Sequence, residues 1–355
     1  MIEVQAKLLR DVVYVAGDSV ECLVTFTNKQ ADENCNEPNG NSIKRMPENI
    51  AWASAQIHCH CSVDESKVRF PKSPSQEQIA TGSKDTSFIP CRGEKGYVVF
   101  SSKPKILFCD LRLLPGESKS FMYKEVIPSS VPPSYKGQAV RYAYKVTIGA
   151  QRINALTRLL RIPIKVFVVE GLMEALKERL AKAAPSNPFL PTASRQSVLE
   201  VAVDFLEDLT SRRRPSYYNV THQNGRVVRF CLLKSCFRLG EDIVGMFDFS
   251  EATVPCVQYS VTLQSEEHIS AAASATGEAV HSTLGHCRQH AFCLHLRTTH
   301  LHLPVPLHVT PTFGSDIVLD VQTMVWDLPI CLYPTHPGHV SSALKAPSQM
   351  TLQIC

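Results

Sequence analysis

The chain lacks any run of about 18 consecutive apolar residues, which excludes a helix that crosses a membrane. It also lacks a charge excess. Against 37 Lys and Arg stand 33 Asp and Glu, a net of +4 over 355 residues. So small a surplus, with no concentrated basic face, does not describe a nucleic-acid binder. No Gly-x-Gly-x-x-Gly or Walker-type phosphate loop is present, no His-Glu-x-x-His, and no Gly-x-Ser-x-Gly elbow. Gly116-Glu117-Ser118-Lys119-Ser120 comes near the elbow but fails at its last Gly. No catalytic residue, cofactor or resident metal is therefore expected. Charges at Glu3, Lys7, Arg10 and Asp11 break up the amino-terminal segment, so no secretory signal is expected there. The 13 Cys are odd in number and follow no framework, which fits reduced thiols buried as small hydrophobes in a cytoplasmic protein. Cys59 and Cys61 sit on one side of an alternating strand, where burial outweighs redox chemistry. Asn219-Val220-Thr221 reads as a chance match to a glycosylation acceptor.

What the chain has is β-forming material. Hydrophobic residues make up 44% and charged residues 20%, enough for two cores and too little charge for wholesale disorder. Pro outnumbers Gly, 23 to 16, and short runs of Val, Ile, Thr, Phe and Tyr favour many short strands. An internal repeat organises them. Tyr14 to Val20, continuing to Phe26, matches Phe237 to Ile243, continuing to Phe249: aromatic, Gly, acid, β-branched residue and Phe keep one spacing. Ile127-Pro128 through Tyr135 matches Val305-Pro306 through Phe313, and Leu160 to Ile164 matches Trp326 to Ile330, in the same order. Each half is expected to be a β-sandwich. In the first, strands are expected near 2–8, 20–27, 51–61, 106–113, 119–126, 139–148 and 162–169, with a turn at Leu114-Pro115-Gly116 and long loops over 28–50 and 71–96. The second half is shorter between its last two landmarks by about a dozen residues, roughly one strand and a turn. It is either irregular or short of a segment that relatives keep.

The predicted organisation is thus an amino-terminal sandwich over 1–170, a helical connector over 171–215, a second sandwich over 216–335 short of one strand, and a flexible tail over 336–355. In the connector, Leu172, Leu176 and Leu180 mark one short amphipathic helix ending near Pro185. Ser197 with Glu200 has capping-box spacing for a second. Val198, Ala202, Phe205, Leu206 and Leu209 fall on one face of that helix, and Glu200, Asp204, Glu207 and Asp208 on the other. The apolar face either packs on a sandwich or lies in a partner's groove. For the second reading Val198, Phe205 and Leu209 are the partner-binding candidates.

Seven of the 13 His lie between 281 and 308, with Cys287 and Cys293 among them. All are possible zinc ligands, but their spacing matches no common finger. A polar loop followed by a strand is expected instead.

Tandem sandwiches that open on an aromatic-x-x-Gly-acid strand and carry Pro132-Pro133-Ser134-Tyr135 resemble the arrestin architecture. Longer blocks are similar to the retrograde Golgi transport protein family: Ala51 to Cys59, Pro104 to Arg112 with Pro115 to Ser120, Leu239 to Gly245, and Trp326 to Ile330. The resemblance implies an all-β fold of two tandem arrestin-like sandwiches. It implies a non-catalytic subunit of a heterodimeric guanine nucleotide exchange factor for a Golgi Rab GTPase, Rab-six. The partners would be a large β-propeller-containing subunit and the GTPase itself. The setting would be retrograde endosome-to-Golgi and intra-Golgi traffic, with recruitment to the Golgi membrane through partners. An arrestin-type adaptor for cargo or receptor tails is the alternative. The chain departs from the family where a Trp-containing strand should precede Trp326, and a shortened transcript or gene model is the expected cause. The turn glycines Gly17, Gly116 and Gly240, and Trp52 and Trp326 as core anchors, are read as structural.

Overall fold

The computed structural model describes residues 1–29, 47–69, 96–169, 171–182, 198–222, 225–306, 313–321, 324–335 and 349–354. Among them the fold is all-β apart from two helices. Its strands form four sheets. The first sheet orders β1 (Ile2–Leu8), β3 (Ser19–Asn28) and β7 (Ser118–Val126) side by side, with β20 (Gln349–Ile354) outside β1. The second runs β2 (Val13–Val15), β10 (Arg158–Phe167), β9 (Val140–Arg152), β4 (Glu48–Val63), β5 (Tyr97–Ser101). In it β6 (Lys105–Leu113) also pairs with β4, and β8 (Tyr135–Lys136) with β9. Alternation sets the inner faces. In β3, Val20, Cys22, Val24 and Phe26 are buried while the residues between them are half-exposed. They meet Ile57, Cys59, Tyr144 and Val146 of the second sheet in one apolar core.

The second pair of sheets repeats the first. One is β11 (Ser216–His222), β12 (Gly225–Leu232), β14 (Asp242–Asp248), β17 (Thr298–Pro304). The other is β13 (Cys236–Arg238), β19 (Met324–Tyr333), β18 (Phe313–Val321), β15 (Gln258–Ile269), β16 (Val280–Phe292). Phe230, Phe237, Phe247, Tyr259 and Ile243 centre its separate core. The sequence repeat extends to individual hydrogen bonds. Gly17 N–H donates to Ile127 O at 2.8 Å, and Gly240 N–H to Val305 O at 2.9 Å. Ile127 N–H returns to Asp18 O, and Val305 N–H to Glu241 O, both at 2.9 Å. Both glycines hold positive φ, 94° and 82°, which explains why Gly recurs there. The acids that follow stabilise the turns. Asp18 accepts Ser19 N–H at 2.7 Å and pairs with Arg10 at 3.2 Å, and burial pushes its carboxyl up against both effects. Glu241 accepts Arg238 N–H at 2.9 Å and binds Lys234.

Several expectations need correction. The strand before Trp326 is present, since β18 lies between β15 and β19 as β9 lies between β4 and β10, while among the described residues that sheet has five strands against seven in the first half. The missing residues shorten that strand rather than delete it. Residues 349–354, expected in a flexible tail, pair with β1 from Ile2↔Ile354 to Lys7↔Gln349, and Met350 and Leu352 pack on the first core. Residues 280–292, expected as a polar loop, form β16. Its imidazoles and hydroxyls belong to an edge strand half exposed to water, which masks the strand signal. Trp52 is no core anchor; it is half-buried and donates its indole N–H to Gln151 at 2.9 Å. Trp326 does pack on the second core, 5.2 Å from Tyr218. Cys59 and Cys61 are buried as expected. All but the last residue of the expected loop over 71–96, most of that over 28–50, Ser197 and His308 lie outside the described residues.

The two sheet pairs touch. Glu267 of β15 reaches the turn before β9 and accepts the N–H groups of Gln138 at 2.7 Å and Ala139 at 3.0 Å. Val68 forms a bridge to Ser274, and Val68, Ala139 and Ile269 pack as a small apolar cluster. A Cβ on Gly137 would lie 2.3 Å from a Glu267 carboxylate oxygen and 2.6 Å from the Tyr135 ring. Gly137→Val should therefore lose both of Glu267's charge-assisted bonds, each worth roughly 1.5–3 kcal/mol. The expected result is a larger radius of gyration by small-angle scattering, with both cores intact. An unchanged scattering curve would show that the contact tolerates the displacement.

Candidate functional site

The connector forms α1 (Leu172–Lys182) and α2 (Val198–Ser211). A third apolar cluster, separate from both cores, holds them: Val15, Val169, Leu172, Val201, Ala202 and Leu206. Phe205 and Tyr333 pack on its margin. The buried face of α2 is Val201, Ala202, Leu206 and Thr210, turned slightly from the face read in the sequence. Thr210 is buried without cost because its hydroxyl bonds Leu206 O at 2.7 Å. The far end of α2 is tied to the second sheet pair. Lys234 Nζ donates to Thr210 O at 3.0 Å while bound to Glu241, so one lysine joins the helix end to the repeat turn. Glu207 pairs with Arg238 at 3.7 Å, and Arg212 with Asp208 at 2.6 Å.

This decides where the three candidate residues stand. Phe205 lies inside the cluster's margin, its ring 3.4 Å from where a Cβ on Gly171 would be. Val198 and Leu209 are half-buried at opposite ends of the helix. The structure does not bring the three together on one free apolar face. The exposed face carries Glu200, Asp204, Glu207 and Asp208. Sequence reasoning missed Val201, Lys234 and Arg238. Periodicity pointed to the first; nothing local marked the other two. Where α2 meets β13 the space lined by Val203, Leu206, Glu207, Arg238, Pro334 and Thr335 is about 10 Å³. Small-molecule sites need roughly 300–1,000 Å³, so this is a packing seam.

The His-rich segment is likewise dispersed. His281 Nδ1 lies 2.6 Å from Glu266, His286 Nε2 lies 2.9 Å from the Ser265 hydroxyl, and His302 Nε2 lies 3.0 Å from Asp242. The His290 ring meets Phe292 edge-on at 5.5 Å. Cys287 donates to Pro304 O at 3.2 Å. Cys293 is buried, with its Sγ 3.3 Å from that of Cys256, and burial pushes its thiol up to about 12. Among the described residues no three His, Cys, Asp or Glu converge as metal ligands would.

Among the described residues no chemical centre forms, and the whole-chain pattern carries the assignment. The Rgp1 family profile matches residues 81–170 and 174–321. The chain belongs to the Rgp1 family. This is the family that its sequence blocks resemble. Among Rgp1 relatives, the human protein described as RAB6A-GEF complex partner protein 2 is 39% identical, covering 100% of both chains. The cattle protein of the same description is 43% identical over 90% of this chain and 81% of that one. The human alignment runs over 399 residues where this chain has 355, so the human protein carries segments absent here. A solved structure of the sporulation control protein Spo0M from Bacillus subtilis aligns with 80% of this chain and 90% of that one at 10% identity. Its TM-score of 0.30 is too low to equate the folds.

Proposed function

We propose that this chain is a non-catalytic subunit of a heterodimeric guanine nucleotide exchange factor that activates a Golgi Rab-six GTPase in retrograde transport. The observation that carries this reading is the full-length similarity to relatives named as RAB6A-GEF complex partners. Exchange makes and breaks no covalent bond; it needs only surfaces that favour the nucleotide-free GTPase. The architecture we propose is two arrestin-like sandwiches, 1–170 and 216–335, joined by 171–215, with 349–354 added to the first. The main partner is a large β-propeller-containing subunit, and the complex acts at Golgi membranes from the cytoplasm.

The partner contact we propose runs along the half-exposed edge of α2. Phe205 is a poor probe because it packs internally. Val198→Asp with Leu209→Asp is expected to weaken co-purification with the large subunit by about tenfold, equivalent to about 1.4 kcal/mol, while both cores keep their melting temperature. Undiminished association removes the helix from the interface. Depleting the chain from cytosol should slow nucleotide release from Rab-six. Normal release, with receptor tails and no propeller protein recovered on the tagged chain, would favour the cargo-adaptor reading.

A further inference from the structure

The turn from β16 to β17 breaks the usual chemistry of a water-facing turn. Leu296 N–H closes it on Cys293 O at 3.0 Å, which leaves Leu294 and His295 at its apex. His295 holds φ at 68°. Turns in water place Gly, Asn, Asp or Ser at such positions. Here the sequence is Phe292-Cys293-Leu294-His295-Leu296-Arg297, and only Cys293 turns inward. Phe292 is 70% exposed, Leu294 and Leu296 are each 46% exposed, and neighbouring Val257 is 47% exposed. Four large apolar groups therefore project from one end of the second sheet pair.

The stretch of chain that carries them has charge of one sign. No Asp or Glu occurs between Glu278 and Asp316, whereas Arg288, Arg297 and seven His do. Arg288, His290, His295 and Arg297 are exposed. Phe249 N–H donates to Arg297 O at 2.8 Å, which brings the acids of the 248–251 turn alongside. Of these, Glu251 is paired with Arg226 at 2.8 Å, while Asp248 accepts Ser250 N–H at 2.9 Å and keeps its negative charge.

Next to the tip, part of the outer edge of β17 is capped by a side chain. Gln289 of β16 bridges to β17, donating to His300 O at 3.0 Å and accepting His302 N–H at 2.9 Å. The side chains also project from a turn, whereas a peptide or helix is held along a sheet edge or in a groove. Apolar groups beside cations match an anionic lipid surface, whose headgroups take the charge while the acyl boundary takes the rings and methyls.

We propose that the 292–297 turn is an interfacial membrane contact that inserts Phe292, Leu294 and Leu296 into an anionic phospholipid bilayer beside Arg297. This goes beyond the exchange-factor reading, since it gives the chain a membrane contact of its own.

The test is flotation of the purified full chain with phosphatidylcholine vesicles, neutral or containing about one-third phosphatidylserine. Wild type should partition to the anionic vesicles at least about tenfold better. Phe292→Ser, Leu294→Ser and Leu296→Ser together should abolish that difference, and Arg297→Glu alone should reduce it several-fold. Phe292 is largely in water and Leu294 and Leu296 are about half so, and Arg297 is exposed, so the melting temperature should fall only slightly. Leu294→Ser alone, with a partial loss, replaces the triple variant if the latter unfolds. Equal partition of wild type to both vesicle types, or full binding by the folded variants, overturns the proposal. So does loss of complex assembly in the triple variant with vesicle binding intact, which would assign the turn to a protein partner.

Discussion

Phe230→Ala is expected to cost the second sheet pair about 3–5 kcal/mol, the range for emptying a buried aromatic site. Phe230 is only 1% exposed. Its ring stacks on Phe247 at 4.6 Å and meets Tyr218 and Trp326 at 6.3 and 6.2 Å, so one deletion loosens three aromatic contacts at once. The site cannot collapse easily, because Gly245 on the adjoining strand has no side chain to move in. A Cβ there would already sit 2.9 Å from the Phe230 ring. A domain of this size is stable by roughly 5–15 kcal/mol, so the loss removes a large share. The first core contains no residue of this cluster. Calorimetry should therefore show one transition lowered and one in place. A single transition lowered as a whole would mean that the Glu267 contact couples the two units, and a change under about 1 kcal/mol would mean the aromatic cluster is not the anchor described.

The repeat was legible because it is written in residues whose geometry is local. A glycine with positive φ followed by an acid can be recognised without knowing what packs on it, and Gly17 and Gly240 prove equivalent bond for bond. Long alternating runs such as Ser19–Asn28 were legible for the same reason. Three-residue strands such as Val13–Val15 are too short to show a period, and they exist only because parallel pairing to β10 completes them. The β16 strand was hidden by composition and by a register shift opposite Leu263 and Gln264, which breaks its alternation. In the connector, periodicity found the helix but set its buried face a little off. What fixes the rotation is the contact of Val201 and Leu206 with Val15 and Val169, far away in sequence. Lys234 as the tie between helix and turn could not be read at all, since nothing local distinguishes it from a surface lysine.

Ending the chain at Ser348 should destabilise the first sheet pair by about 2 kcal/mol, the burial of two half-covered apolar side chains, and should make the protein associate. The pairing of β20 with β1 covers one side of a strand whose other side is bonded to β3. Without it, six residues of β1 from Ile2 to Lys7 present unpaired backbone, and an open strand edge is a template for another chain. Lys7 is exposed and would resist pairing. Glu3 would not, being buried against Lys29 at 2.7 Å. The loss of Met350 and Leu352 also opens a path to the core that contains Ile2 and Val4. The expected readout is a lower melting temperature together with concentration-dependent growth of mass by light scattering, while the second sheet pair keeps its own transition. Loss of stability without association would mean that Lys7 suffices to guard the edge. An unchanged melting temperature would mean that the terminal strand contributes no stability to β1. The position of β20 also explains why a segment so far along the chain can matter to the first sheet: it is the last strand added, and its pairing partner is the first.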